Sequence, residues 1–221
     1  MDRVAEPHEL MLSADQAQAY GTADLTRFNG TLPEAFQQHF ASFSAGTVLD
    51  LGCGSADISI RFARAYPAAK VVGVDGSPAM LAFAQECVEK SGLGARIELR
   101  HGYLPQASLE LGTYDAVVAN SLLHHLCNPA DLWSTIRNCV RPGTAVMVVD
   151  LIRPEDAAEA TRLVKEYAGR GHPVVQQDLY HSLCAAYTVE DTRQQLHDAH
   201  MRWVHVEAVS ELQMKAWGVA E

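Results

Sequence analysis

An acid stands directly before a glycine turn in Val48-Leu49-Asp50-Leu51-Gly52-Cys53-Gly54-Ser55-Ala56-Asp57, and a second acid, Asp75, ends the apolar run Val71-Val72-Gly73-Val74. These residues are equipped to hold a nucleoside. Gly52 and Gly54 carry no Cβ, so the backbone can turn tightly and pass close to a ligand. A helix opening near Ser55 points its free N–H groups and positive dipole end into that turn. Asp75 follows Asp50 by 25 residues, the spacing at which one βαβ unit presents an acid to two ribose hydroxyls. The dinucleotide pattern Gly-x-Gly-x-x-Gly is not met, because its last position is Asp57, and no Gly-Lys-Ser/Thr phosphate loop is present. A carboxylate at Asp50 would repel a pyrophosphate, but it suits a ligand with an ammonium or sulfonium charge.

A second group of reactive residues follows the apolar stretch 114–120. Asn120 and Ser121 close a strand at its carboxyl end, where open α/β sheets bind ligands, and His124 and His125 come immediately after. Either imidazole could take a proton from an oxygen nucleophile, since it titrates near neutrality. Either could equally be a hydrogen-bonded packing residue. Gly76, Ser77 and Met80 follow the acid of the second strand and could line a base, as could Gly102 and Tyr103 after the third. His197 and His200 share a helix face, with His205 beyond, but no acid or cysteine completes a ligand set there. No metal is expected.

The Asp-Leu-Gly-Cys-Gly run resembles motif I of the class I S-adenosylmethionine-dependent methyltransferases. Val-Gly-Val-Asp-Gly-Ser resembles the acid motif that follows it, and Leu-Leu-His-His-Leu is similar to the run after strand 4 in many small-molecule members of the ubiquinone/menaquinone type. The resemblance covers residues 46–154 well and the remainder more loosely. It implies S-adenosylmethionine as cofactor, held by Asp50, Gly52, Gly54, Asp75, Gly76, Ser77, Met80, Gly102, Tyr103, Asn120 and Ser121, with Tyr20 closing over it from an N-terminal lid. It also implies in-line methyl transfer to a small acceptor, contacted by Phe28, Phe36, Tyr180, His181 and Tyr187, with His124 or His125 as the catalytic group. Many relatives have Gly-Asp where this chain has Gly102-Tyr103, so a different group must hold the adenine amino group, or Tyr103 takes its place. The alternative is a non-catalytic sensor or partner subunit that binds the cofactor or its demethylated product. A nicotinamide-dependent oxidoreductase is disfavoured by Asp50 and the missing third glycine.

The elements that must position these residues follow from periodicity. Strands are expected at 47–51, 71–75, 97–100, 114–120 and 145–151, alternating with helices at 56–66, 78–91 and about 129–139. Ser77 and Pro78 are a natural start for the second of these, and Gly92 its stop. Residues 203–209 and 213–219 are strands joined by a short turn, so they must pair antiparallel. The fold class is therefore α/β: a doubly wound, seven-stranded, mostly parallel sheet with an antiparallel C-terminal hairpin. Residues 1–45 are expected as a helical lid, with helices at 13–20 and 32–43. Residues 46–221 form the cofactor-binding domain, with a helical insert at 154–200 on the substrate side. Within that insert Thr188 is a helix N-cap, with Asp191 three residues on.

At 221 residues with 48 % hydrophobic content the chain can bury a sizeable core. Its formal net charge of -10, with Lys and Arg scattered, argues against nucleic acid as partner. So does Asn-Ser-Leu-Leu after strand 4, which is unlike the Asn/Asp-Pro-Pro-Tyr/Phe run of amino methyltransferases. Five cysteines without a Cys-x-x-Cys pair, no apolar run of membrane length and no basic-then-apolar leader together point to a cytoplasmic protein with reduced thiols.

Overall fold

The computed structural model describes residues 1–6, 32–105, 108–169 and 171–221. Seven strands form one sheet: β1 (Ala45–Leu51), β2 (Ala68–Asp75), β3 (Ile97–His101), β4 (Ala116–Asn120), β5 (Ala145–Leu151), β6 (His205–Ala208) and β7 (Gln213–Val219). Their order across the sheet is β3-β2-β1-β4-β5-β7-β6. β1 to β5 are mutually parallel, and β7 runs antiparallel between β5 and β6. The expected sheet, including its closing hairpin, is present. The order reverses between β1 and β4, which opens a crevice at their carboxyl ends.

Alternation along the strands divides the core in two. Val48, Ala116, Val118, Met147 and Val149 face one way, while Leu49, Leu51, Val117, Ala119, Val146 and Val148 face the other. Both faces are covered, so the central strands read as unbroken apolar runs. The helices are α1 (Leu32–His39), α2 (Asp57–Ala65), α3 (Pro78–Ser91), α4 (Ala130–Cys139), α5 (Ala157–Ala168), α6 (Pro173–Ala185) and α7 (Val189–Asp198), with a 3-10 turn at Leu123–His125. Ser77 caps α3 by accepting from the Met80 N–H, and left-handed Gly92 ends it. Thr188 and Asp191 complete a reciprocal capping box on α7.

Of the two helices expected in the N-terminal stretch, the one at 32–43 is present as α1, and the one at 13–20 falls outside the described residues. Residues 1–6 are not helical, and residues 7–31 lie outside the described residues. α1 stops at His39, and it packs on the sheet face. Phe36 is fully buried there, with its ring 4.6 Å from Phe40 and 5.0 Å from Phe62. α5 and α6 form a small core of their own, in which Leu163, Leu179 and Leu183 meet Leu151 and Leu212, while Leu196 of α7 joins the main core.

Candidate functional site

The crevice is a pocket lined at one end by the turns after β1, β2 and β3 and at the other by the turn after β4 and by α6. After β1 the chain turns over Gly52 (φ 68°) and Gly54 (φ 51°). A Cβ on Gly52 would stand 2.7 Å from Cδ1 of Leu122, so both the left-handed turn and the close approach of the neighbouring loop need glycine. The N–H groups of Gly52 and Cys53 both donate to the Val74 carbonyl, at 2.8 and 3.0 Å, hooking the turn onto β2. Gly54 N–H then donates to Asp75 Oδ2 at 2.9 Å, and Ser77 N–H donates to Oδ1 at 2.7 Å. The carboxylate is fixed by two backbone donors and keeps lone pairs for two further hydroxyls. Burial pushes the Asp75 pKa above the ordinary range, and the two N–H bonds oppose it.

Gly76, Ser77, Met80, Gly102, Tyr103, Asn120 and Ser121 line this same pocket, as the sequence suggested. Ser121 has φ 53°, a left-handed conformation that costs a non-glycine residue about 1 kcal/mol and is often kept where it aims a functional group. Asp50 does not line the pocket. Its side chain shares the α2 face of β1 with Val48, is 1 % exposed, and accepts from Ser59 Oγ at 2.6 Å. Burial pushes its pKa up to about 7, with the Ser59 bond opposing. The acid therefore ties β1 to α2. Cys53 lines the pocket, but burial and the charges of Asp50 and Asp75 push its thiol well above its usual pKa. It stays protonated and is no nucleophile.

At the other end the two histidines have acids that sequence reasoning missed. His124 is buried, with Nδ1 2.6 Å from Asp150 Oδ1. Asp150 is itself held by the N–H groups of Leu123 (2.7 Å) and Leu151 (2.8 Å). Burial alone would depress the His124 pKa, but the Asp150 charge and hydrogen bond, helped by Glu6, raise it. His125 Nδ1 lies 2.6 Å from Glu6 Oε2, and Ser182 Oγ donates to Glu6 Oε1 at 2.6 Å. Burial would raise the Glu6 pKa, yet its bond to His125 and the charges of both histidines bring it down to about 2. Asp150 could have been found as the single acid in the apolar run 145–151. Nothing in the sequence marks Glu6.

Arg3 fastens this arrangement. Its guanidinium donates to the carbonyls of Ala185 (2.6 Å), His124 (3.1 Å) and Leu126 (3.1 Å), and it lies 4.2 Å from the centre of the Tyr187 ring. Tyr187, expected at the substrate, is thus a buried platform for Arg3. Tyr180 and His181 do not line the pocket either. The α6 face turned to it carries Val175, Leu179 and Ser182 at helical spacing, which rotates Tyr180 and His181 away. Phe36 lies in the core described above, and Tyr20 and Phe28 fall outside the described residues. His197 is exposed beside Asp198 and Arg202.

The pocket fits a cationic nucleoside. Asp57 and Asp75 line it, and among the described residues no Lys or Arg does. The Asp75 carboxylate is fixed by two backbone donors, and Gly102 and Tyr103 line the pocket with it.

Residues 48–143 match a family profile described as "Methyltransferase domain". Among curated proteins, a demethylmenaquinone methyltransferase of Lactiplantibacillus plantarum is 31 % identical over 120 residues, 54 % of this chain and 50 % of its own. A ribosomal protein L11 methyltransferase of Vibrio parahaemolyticus is 31 % identical over 165 residues, 72 % of this chain and 51 % of its own. The chain thus spans about half the length of these curated relatives. Among solved structures, a SAM-dependent methyltransferase from Aquifex aeolicus superposes with a TM-score of 0.69 at 18 % identity, covering 94 % of this chain and 98 % of the other.

Proposed function

We propose, from a chain that carries a class I S-adenosylmethionine-dependent methyltransferase domain, that the protein transfers a methyl group from S-adenosylmethionine to a small, largely apolar acceptor. The observation that carries this reading is Asp75, held by Gly54 and Ser77 with its carboxylate at the mouth of the glycine turn. When bound, the donor supplies a methyl group already activated on a sulfonium, ready for in-line displacement. The chain's own task is then to orient and to exclude water. Gly52, Gly54, Asp75 and Tyr103 hold the nucleoside end, and Asn120 and Ser121 stand where its amino-acid end would lie. The acidic lining favours the cation over a neutral thioether product.

The acceptor end supports an apolar molecule with one ionisable group. Leu126, Leu151, Ala168, Val175 and Leu179 form its apolar wall, and the polar groups there are Ser182 and the two histidines. A hydroxyl placed against His124 or His125 would lose its proton to imidazole as the methyl arrives, and Asp150 or Glu6 would stabilise the resulting imidazolium. No described helix is long and apolar enough to cross a membrane, and five free cysteines support a reducing, cytoplasmic setting.

Calorimetric titration with S-adenosylmethionine and S-adenosylhomocysteine, wild type beside Asp75→Ala, tests the reading. Micromolar binding that the substitution abolishes is the expected result. Binding of NAD in place of either ligand, or undiminished binding by the variant, would overturn it. Product formation with hydroxylated aromatic acceptors then separates an enzyme from a non-catalytic sensor.

A further inference from the structure

We propose that Glu6, His124 and His125 together hold a divalent transition-metal ion of the zinc class at the acceptor end of the pocket. One ligand atom from each of these residues lies within 4.8 Å of the other two. Ligand atoms around a tetrahedral zinc ion at about 2.0–2.2 Å stand roughly 3.3–3.6 Å apart, so the set closes by an inward shift of about 1 Å, with the 2.6 Å contact between His125 Nδ1 and Glu6 Oε2 opening to admit the ion. Two imidazoles and one carboxylate suit zinc, cobalt, nickel or ferrous iron. Magnesium and calcium prefer oxygen donors throughout.

The surroundings are those of a built metal centre. The Nδ1 atom of His124 is committed to Asp150, which two backbone N–H groups hold in turn, so its ring is fixed and Nε2 remains to be offered. A carboxylate behind a ligating histidine is the usual support for such sites. Glu6 is oriented by Ser182 through one oxygen and reaches His125 with the other. A second, independent feature lies beside the cluster on α6. Oδ2 of Asp178 is buried with no hydrogen-bond partner, and its carboxyl feels the charges of both Glu6 and His125. The Asp178 and Glu6 carboxylates together add negative potential around the cluster, which favours a cation held there.

Three protein ligands leave coordination positions open, as in catalytic zinc sites. His124 and His125 line the pocket, so an acceptor oxygen or nitrogen entering it could take one of them. With the ion bound, coordination would replace the imidazoles' role as base: it would lower that group's pKa and fix it beside the donor end. Cation binding itself does not rest on the methyl-transfer reading.

The test uses the full chain, stripped with a chelator, dialysed and titrated with Zn²⁺ by calorimetry and with Co²⁺ by visible absorption. One ion per chain is expected, with a Co²⁺ spectrum of low-symmetry nitrogen and oxygen ligation. Glu6→Gln and His125→Ala should each weaken Zn²⁺ binding about 100-fold, Asp150→Asn about 10-fold, and His197→Ala not at all. Circular dichroism and thermal melting establish that each variant is folded. If one ligand variant fails to fold, the other carries the test. Absence of Zn²⁺ binding by the wild type, full-strength binding by the folded ligand variants, or loss on His197→Ala would each overturn the proposal. Binding of S-adenosylmethionine is measured on the same stripped protein. Its failure would count against the methyl-transfer reading and leave the metal site standing.

Discussion

His124 and Asp150 form a buried pair, Nδ1 to Oδ1 2.6 Å, that joins the turn after β4 to the carboxyl end of β5. Asp150→Asn can still accept from His124 Nδ1 and the Leu151 N–H through its oxygen, but its NH2 then faces the Leu123 N–H and the charge opposite His124 is lost. A loss of about 2–3 kcal/mol of stability is expected by urea denaturation. The His124 pKa is raised in the folded state, so the pair's contribution is complete below the unfolded value near 6.5 and fades as pH rises through the folded value. The gap between wild type and variant should therefore be larger near about pH 6 than near about pH 9.

Asp50→Asn should instead raise stability, and more so as pH rises. The Asp50 pKa rises on folding from 3.8 to about 7. Its effect favours the fold fully below the lower value and is lost as pH rises through the upper one. Carrying the charge at alkaline pH costs the native state about 4 kcal/mol by linkage. Asn keeps the shape and can accept from Ser59 without that cost. Thermal melting should show the variant gaining on wild type between about pH 5 and about pH 9, while a constant difference would refute the assignment.

The two turn glycines should differ in sensitivity. Both have positive φ, but a Cβ at Gly52 meets Leu122 at 2.7 Å, and one at Gly54 meets only the terminal methyl of Met80 at 3.4 Å. Gly54→Ala should cost about 1 kcal/mol in backbone strain. Gly52→Ala adds an overpacking penalty of about 1–3 kcal/mol and weakens nucleoside binding. Denaturant midpoints and ligand titration on both variants check this order.

Arg3 spans three carbonyls from two segments and lies over Tyr187. Arg3→Ala should remove about 2 kcal/mol or more, since charge-assisted hydrogen bonds are lost from carbonyls that stay partly buried. Arg3→Lys should recover less than half, because an ammonium cannot reproduce the planar fork. Melting temperatures of the three proteins decide it.

The donor end of the site was legible in the sequence because its parts are local. A glycine turn, the acid ending the next strand and a capped helix each announce themselves within a few residues, and the sheet order brings them together. The acceptor end was less so. His124 and His125 stood out by type, but Glu6 reaches His125 across 119 positions, and no periodicity encodes such a meeting. Alternation along β1 turns Asp50 toward α2, away from the crevice, a placement that its position before the glycine turn does not announce. Tyr180 and His181 were favoured for their chemistry, but helix phase gave that face to Val175, Leu179 and Ser182. Phe36 of α1 has the type expected at a substrate, yet the helix face it occupies belongs to the core.

The placement of β7 between β5 and β6 bears on how the molecule assembles. β6 meets the sheet only through β7, so a strand made earlier must wait for one made later before its backbone groups find partners. β1, β2 and β3, with the helices between them, can condense from near-neighbour contacts. The edge beyond β5 should therefore close last and open first. In native-state hydrogen exchange, amides of β6 should lose protection no later than those of β7, and both well before those of β1.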